Sequence, residues 1–310
     1  MCFGENGSVR GRFAPSPTGP LHLGNLRTAL LAWLIARRGG GEFIVRMEDL
    51  DRVTSSPQHE ADQLASLRSI GLDWDGEVVR QSERFGLYRQ AIDRLQAIGV
   101  VYECYCSRRE IRQATRAPQG TDAEGVYPGT CRSLTERDRQ ALRSDGRRAA
   151  LRLMSDARVE SFDDRFSGPQ SGRVADLVLQ RNDGVPAYNL AVVVDDAAQG
   201  VTEVVRGDDL VASTPGQIML HRLLDLSIPR YAHIPLVLAP DATRLAKRHG
   251  AVTLADLAER GLSPGDVCAR LAASLGMGGG DHAVMARQLL DVFDPALVPH
   301  VPWTLTAEEL

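Results

Sequence analysis

The chain has 310 residues, 43% of them hydrophobic and 25% charged, which suits two compact domains or one large domain with an insertion. A net charge of −4 excludes an overall basic nucleic-acid coat, and no apolar run approaches the about 18 residues that a bilayer span needs. The odd count of five cysteines does not read as a disulfide framework, and the opening Met1-Cys2-Phe3 lacks the basic start and apolar run of a secretory signal, so a cytoplasmic protein free of membrane contact is expected.

In chain order, Ser8–Ala14 reads as a short strand running into a Pro/Gly loop, Pro15 to Pro20. Leu26, Ala29, Leu30, Trp33 and Leu34 then recur at offsets of three and four, the spacing of a helix, and Arg37-Arg38-Gly39 supplies its stop. Glu42 to Met47 is β-prone and ends in Glu48-Asp49, and a further helical pattern follows Pro57. Strand, loop, helix and strand make a βαβ unit, the beginning of a parallel α/β sheet. From 101 to 174 cysteines, a polar loop and dense arginines indicate an inserted subdomain. The α/β pattern resumes at Ala187–Asp195 and Gly200–Val205. A helix is expected over Ser213–Leu224 and a strand over Ile234–Ala239. Beyond 250 the chain turns helical, with Ser263 as an N-cap and Pro264 at the first helical position.

Two local features carry chemistry. A strand–turn–helix corner with His22, Gly24 and Asn25 at the helix start offers backbone N–H groups and a positive dipole end to an anion. Cys104, Cys106 and Cys131 lie close together in sequence, and thiols at that density suggest a structural zinc, although free thiols fit the spacing equally well. Three cysteines need a fourth ligand. No histidine occurs between His59 and His221, which draws attention to Tyr127. Among the basic residues all but one are arginine, and the exception is Lys247.

Pro15-Ser16-Pro17-Thr18-Gly19-Pro20-Leu21-His22-Leu23-Gly24 closely resembles the His-Ile-Gly-His region of class I aminoacyl-tRNA synthetases, in their glutamate/glutamine branch. Phe43–Asp51, Gly71–Asp75, Tyr188–Ala191 and Val205–Leu210 follow in the order of that family, and Asn25 stands where the motif has its second histidine. The resemblance implies a Rossmann-like parallel sheet, in two halves (8–100 and 175–240) around a zinc-bearing insertion (101–174). A lysine loop and short helical stem-contact region (241–310) would follow. It maps glutamate binding to Arg12, Ala14, Ser16, Glu48, Tyr188 and Arg206. Such a set supplies guanidinium groups for two carboxylates and a carboxylate for one ammonium. Asp241–Gly250 resembles the mobile Lys-Met-Ser-Lys-Ser loop, with Arg244 at the first lysine, Ala246 at the serine and Lys247 at the second lysine. ATP, entering with Mg²⁺, would meet His22, Gly24, Asn25, Arg244 and Lys247, with His22 and Lys247 as the catalytic cations and donors.

Three cysteines with Tyr127 resemble the zinc site of the shortened paralogues of glutamyl-tRNA synthetase that glutamylate queuosine. That resemblance implies one structural Zn²⁺ per chain, held by Cys104, Cys106, Tyr127 and Cys131. It also implies activation of L-glutamate to glutamyl-adenylate and transfer to the queuosine base in the anticodon loop of tRNA(Asp). The 60 residues from 251 to 310 are too few for an anticodon-reading module, which favours the same branch, and a monomer is expected. Three rivals stand beside it: a short glutamyl-tRNA synthetase charging a tRNA 3′ end, a small-molecule adenylyl- or cytidylyltransferase sharing the His-x-Gly helix, and a non-catalytic zinc RNA-binding module.

Overall fold

A computed structural model describes residues 8–107, 109–111, 127–243, 245, 252–278 and 282–306. Its main sheet starts with strand β1 (Arg10–Phe13), which feeds helix α1 (Leu23–Arg38) and returns as β2 (Glu42–Met47). Both strands are buried almost without interruption, as parallel strands covered on two faces must be. All the residues of the expected apolar stripe of α1 are buried, including Trp33, and Gly39 caps the C-terminal end after Arg37 and Arg38. Helix α2 (Pro57–Ser69) is opened by Ser56, whose side chain accepts from the His59 N–H. It leads to the short edge strand β3 (Val79–Arg80) and helix α3 (Phe85–Ala97).

A separate three-stranded antiparallel sheet is built from β4 (Val101–Cys104), β5 (Ala150–Leu153) and β8 (Val178–Gln180), with helix α4 (Glu136–Ser144) between its first two strands. Strands β6 (Val159–Asp164) and β7 (Gly168–Arg173) also fall within 101–174, yet they join the main sheet through β10 (Arg230–Ile234). The sheet pairings therefore do not divide at 174. The reason lies in the hairpin's side chains. Phe162 packs with Val204, Ile218 and Tyr231, and Glu160 pairs with Arg222, so its partners belong to the later half of the chain.

Helix α5 (Tyr188–Ala198) leads to β9 (Glu203–Gly207), then helix α6 (Thr214–Leu223) and β10. The main sheet runs β3-β2-β1-β9-β10-β6-β7, parallel except for β6–β7. The strand expected over 234–239 is split: β10 ends at Ile234, Pro235 has no N–H to continue the ladder, and β11 (Val237–Leu238) pairs instead with β12 (Trp303–Thr304). Helices α7 (Leu254–Glu259) and α8 (Pro264–Ser274) follow, the latter with Ser263 accepting from the Asp266 N–H as its N-cap. Among the described residues no helix is long and apolar enough to cross a membrane.

The crossovers position the site. From β1 the chain moves through α1 to β2 on one side, and from β9 it moves through α6 to β10 on the other. The crevice between β1 and β9 is thus the point where the direction of winding reverses, where open α/β sheets bind ligands.

Candidate active site

A cavity of about 360 Å³ opens at the carboxyl ends of β1, β2, β9 and β10. Its lining includes His22, Gly24 and Asn25 from the start of α1. Arg12, Ala14, Ser16, Glu48, Tyr188 and Arg206 line it as well, so residues up to 194 positions apart share one space. The expected residues Arg244, Ala246 and Lys247 lie outside the described residues.

The helix end is built for a donor. His22 is the N-cap of α1; its Nδ1 accepts from the Gly24 N–H at 3.1 Å, while its own N–H donates to Asn25 Oδ1 at 3.2 Å. Burial lowers the imidazole's pKa, so the ring is neutral. With Nδ1 occupied as an acceptor, the ring proton sits on Nε2 and is available to a phosphate oxygen. Gly24 serves the same ring: a Cβ there would meet His22 Cε1 at 3.0 Å and Nδ1 at 3.1 Å. Asn25, in the place of the motif's second histidine, completes the reciprocal cap.

Beneath it lies a compensated charge network. Arg46, fully buried, bonds Asp196 Oδ1 and Gln199 Oε1 at 2.8 Å each and approaches Glu48 Oε1 at 3.4 Å. Arg12 donates to the Val205 carbonyl at 3.0 Å and lies 3.4 Å from Asp196 Oδ1. Burial drives the Asp196 carboxyl upward, but Arg46 and then Arg12 outweigh it and leave its pKa below the ordinary range. Glu48 goes the other way: burial wins over Arg46 and Arg12 and its pKa is raised. A buried carboxylate whose charged form is under-stabilised is suited to a cationic ligand group. Asp195 is held in turn by Tyr88 Oη at 2.7 Å, Gln81 Nε2 at 2.9 Å and Arg84 Nε at 2.6 Å.

Arg206 stands apart, since its acceptors are neutral. Nη1 donates to Gln217 Oε1 at 2.8 Å, Nη2 to Thr214 Oγ1 at 2.7 Å, and Nε to His233 Nε2 at 3.0 Å. Gln217 also donates to Asn189 Oδ1, next to Tyr188, at 3.0 Å. Several of these residues went unmarked in the sequence. Arg27 also lines the cavity, with Nη1 on the Pro235 carbonyl at 2.7 Å and Nε on Ser274 Oγ at 3.1 Å, and burial lowers its pKa to about 10. A signal was present in both: Arg27 interrupts the apolar face of α1, and Arg46 interrupts the apolar run Phe43–Met47.

A second cavity, of about 720 Å³, shares Ser16, Glu48 and Tyr188 with the first and reaches Cys104, Cys106 and Arg152. There the Sγ atoms of Cys104, Cys106 and Cys131 lie within 4.8 Å of one another. Tyr127 Oη stands 3.8 Å from Cys106 Sγ and accepts from the Cys131 N–H at 2.8 Å. Burial, and then the neighbouring Cys131 Sγ, pushes the Cys106 thiol up to about 12. A divalent cation reverses that, because a coordinating thiol is deprotonated outright. Three convergent, largely buried sulfurs fit a metal ion of tetrahedral, thiolate-favouring type.

Comparison with known proteins accounts for this assembly. Residues 8–310 match the family model of tRNA synthetases class I (E and Q), catalytic domain. The chain belongs to this family. The synthetase is 58% identical over 296 residues to the glutamyl-Q tRNA(Asp) synthetase of Nocardia farcinica, covering 96% of this chain and 93% of the relative. It is 50% identical to the protein of the same name from Symbiobacterium thermophilum, covering 97% of each. Its identity to the glutamate–tRNA ligase of Nitratidesulfovibrio vulgaris is 43%, over 90% of this chain and 59% of that one. Among solved structures, a glutamate tRNA ligase from Elizabethkingia meningosepticum in complex with its amino acid superimposes with a TM-score of 0.83 at 28% identity, over 98% of this chain and 68% of that one.

Proposed function

We propose that the synthetase activates glutamate with ATP as glutamyl-adenylate and transfers it to queuosine in the anticodon loop of tRNA(Asp). The observation that carries this is one cavity in which the helix-end donor His22 faces Arg12, Glu48, Tyr188 and Arg206. It occurs in a chain 58% and 50% identical to proteins named for that reaction.

Each residue has a role that follows from its surroundings. Glu48 takes the substrate ammonium, which restores the charge balance that burial disturbs. Arg206 and Arg12 take the carboxylates, with Tyr188 closing the side of the cavity. The α-phosphate of ATP lies at the N-terminus of α1, where His22 Nε2–H and the positive end of the helix dipole meet the charge that builds as glutamate attacks. Lys247, by its place in the lysine loop, neutralises the leaving pyrophosphate. Mg²⁺ bound with ATP supplies further charge neutralisation. The larger cavity beside Glu48 and Tyr188 receives the acceptor nucleoside, whose cyclopentenediol hydroxyl attacks the activated carbonyl and releases AMP.

Zinc fits the cysteine cluster, with Tyr127 as its fourth ligand. Its task is structural. Held by Cys104, Cys106, Tyr127 and Cys131, it would link β4 to the chain at Cys131 beside the acceptor cavity. The test is transfer of labelled glutamate to tRNA(Asp) with and without queuosine. Label confined to queuosine-bearing tRNA supports the reading; equal labelling of both, or labelling of tRNA(Glu) at its 3′ end, refutes it.

A further inference from the structure

Arg206 is buried and lines the cavity, yet no ion pair joins it to a described carboxylate. Its Nε donates to His233 Nε2 at 3.0 Å, and Gln217, Thr214 and the Leu210 carbonyl take other N–H groups, so that one Nη1 hydrogen has no acceptor among the described residues. The neighbours Arg12 and Arg46 are different, since both face Asp196. The charge of Arg206 is therefore kept for a ligand, and its orientation depends on neutral acceptors.

His233 is the demanding one among them. Thr214 Oγ1, 3.2 Å from its Nε2, is compatible with either tautomer, but a guanidinium can only donate, so the Arg206 bond needs a bare Nε2. Asp164 secures that state from the other side of the ring: its Oδ2 lies 2.5 Å from His233 Nδ1, and its Oδ1 accepts from the Phe166 and Ser167 N–H groups at 3.1 and 2.9 Å. The ring is fully buried and stacks on Tyr231, with centroids 6.0 Å apart and planes at 10°. This chain of bonds runs from the β6–β7 hairpin, through β10, to the end of β9.

We infer that Asp164 and His233 form a positioning relay that fixes the imidazole as its Nδ1–H tautomer and thereby aims the Arg206 guanidinium at a substrate carboxylate. The inference rests on the glutamate reading of the cavity. It makes the hairpin a part of amino-acid recognition, though neither residue lines the cavity. An orienting partner on the far nitrogen is a general way to select a histidine tautomer.

ATP–pyrophosphate exchange, titrated separately in glutamate and ATP, tests it with three variants. In Asp164→Asn the amide donates to Nδ1, the ring proton moves to Nε2, and that N–H confronts the Arg206 Nε–H. The glutamate KM should rise by about tenfold or more, the scale of a lost charge-assisted hydrogen bond, while the ATP KM stays unchanged. His233→Gln places an amide oxygen near the Nε2 position and should retain most glutamate affinity. His233→Asn satisfies Asp164 but offers Arg206 nothing, and should lose it. A purely structural role predicts the opposite order, because the buried Asp164 is then the group that needs its partner. Histidine ¹⁵N shifts of the wild-type protein give a readout independent of any variant: a bare Nε2 on His233 supports the relay, and a protonated Nε2 overturns it. Wild-type exchange that fails with glutamate would overturn the glutamate reading instead. Robust wild-type exchange with KM values unmoved in Asp164→Asn and His233→Asn would overturn only the relay.

Discussion

At the scale of single residues, the helix-end donor is the most constrained part of the site. A Cβ on residue 24 would sit 3.0 Å from His22 Cε1, so Gly24→Ala must displace the imidazole. The ring has to give by a few tenths of an ångström, and since 1 Å costs on the order of 100-fold in rate, the loss here is smaller. The ATP kcat/KM in pyrophosphate exchange should fall by about 3- to 10-fold while the glutamate KM holds; an unchanged ATP dependence would refute the assigned donor. Lys247→Arg keeps the charge but replaces a compact ammonium with a planar fork, and exchange should be impaired; equal kinetics would remove the argument for the single lysine. A third prediction concerns stability. His221 is buried, its Nδ1 has no partner among the described residues, and burial lowers its pKa to about 4. The folded value lies below the unfolded value of about 6.5, so the neutral ring's contribution is complete above pH 6.5 and is lost as pH falls from there towards 4. The effect reaches at most about 3 kcal/mol. Melting curves of His221→Leu should therefore show a shallower loss of Tm across that window; a slope equal to wild type would contradict the assignment. The residues that line the cavity and are proposed to bind ligand were legible, since they sit in strings such as Leu21-His22-Leu23-Gly24. Those that hold them in place were not. Arg46 and Asp196 are 150 positions apart, and nothing local in either stretch announces their partnership.

At the scale of elements, the first βαβ unit was readable because its signals are local: an apolar helical stripe, a glycine stop and a short β-prone run. The β6–β7 hairpin was not, since its strands have alternating exposure and few apolar residues, and Phe162, Glu160 and Asp164 acquire meaning only through partners on α6 and β10. Pro235 likewise ended a strand that apolarity alone would have continued. The cysteine cluster gathers Cys104, Cys106 and Cys131 with Tyr127 against a sheet of only three strands. Cys104→Ser should lower bound zinc well below one per chain and destabilise this sheet, because binding free energy here is also folding free energy. Full zinc content by metal analysis, with unchanged proteolytic resistance, would refute the cluster's assigned role.

At the scale of the whole molecule, two cavities meet along Ser16, Glu48 and Tyr188. One is lined by Arg12, Arg206, Glu48 and the start of α1, and the other by residues of the main sheet's loops and of the cysteine-bearing sheet. On the proposed reading, activation in the first and acceptance in the second make a single path for the glutamyl group. The path fits a polynucleotide acceptor although the chain carries a net charge of −4; RNA contact must come from local arginines rather than from overall charge. The central claim is the identity of that acceptor. Purified synthetase, ATP and labelled glutamate should be incubated with matched tRNA(Asp) samples that differ only in queuosine, followed by nuclease digestion to locate the label. The account predicts label on the queuosine nucleoside and none on tRNA lacking it; label at the 3′ end, or in both samples alike, would contradict it.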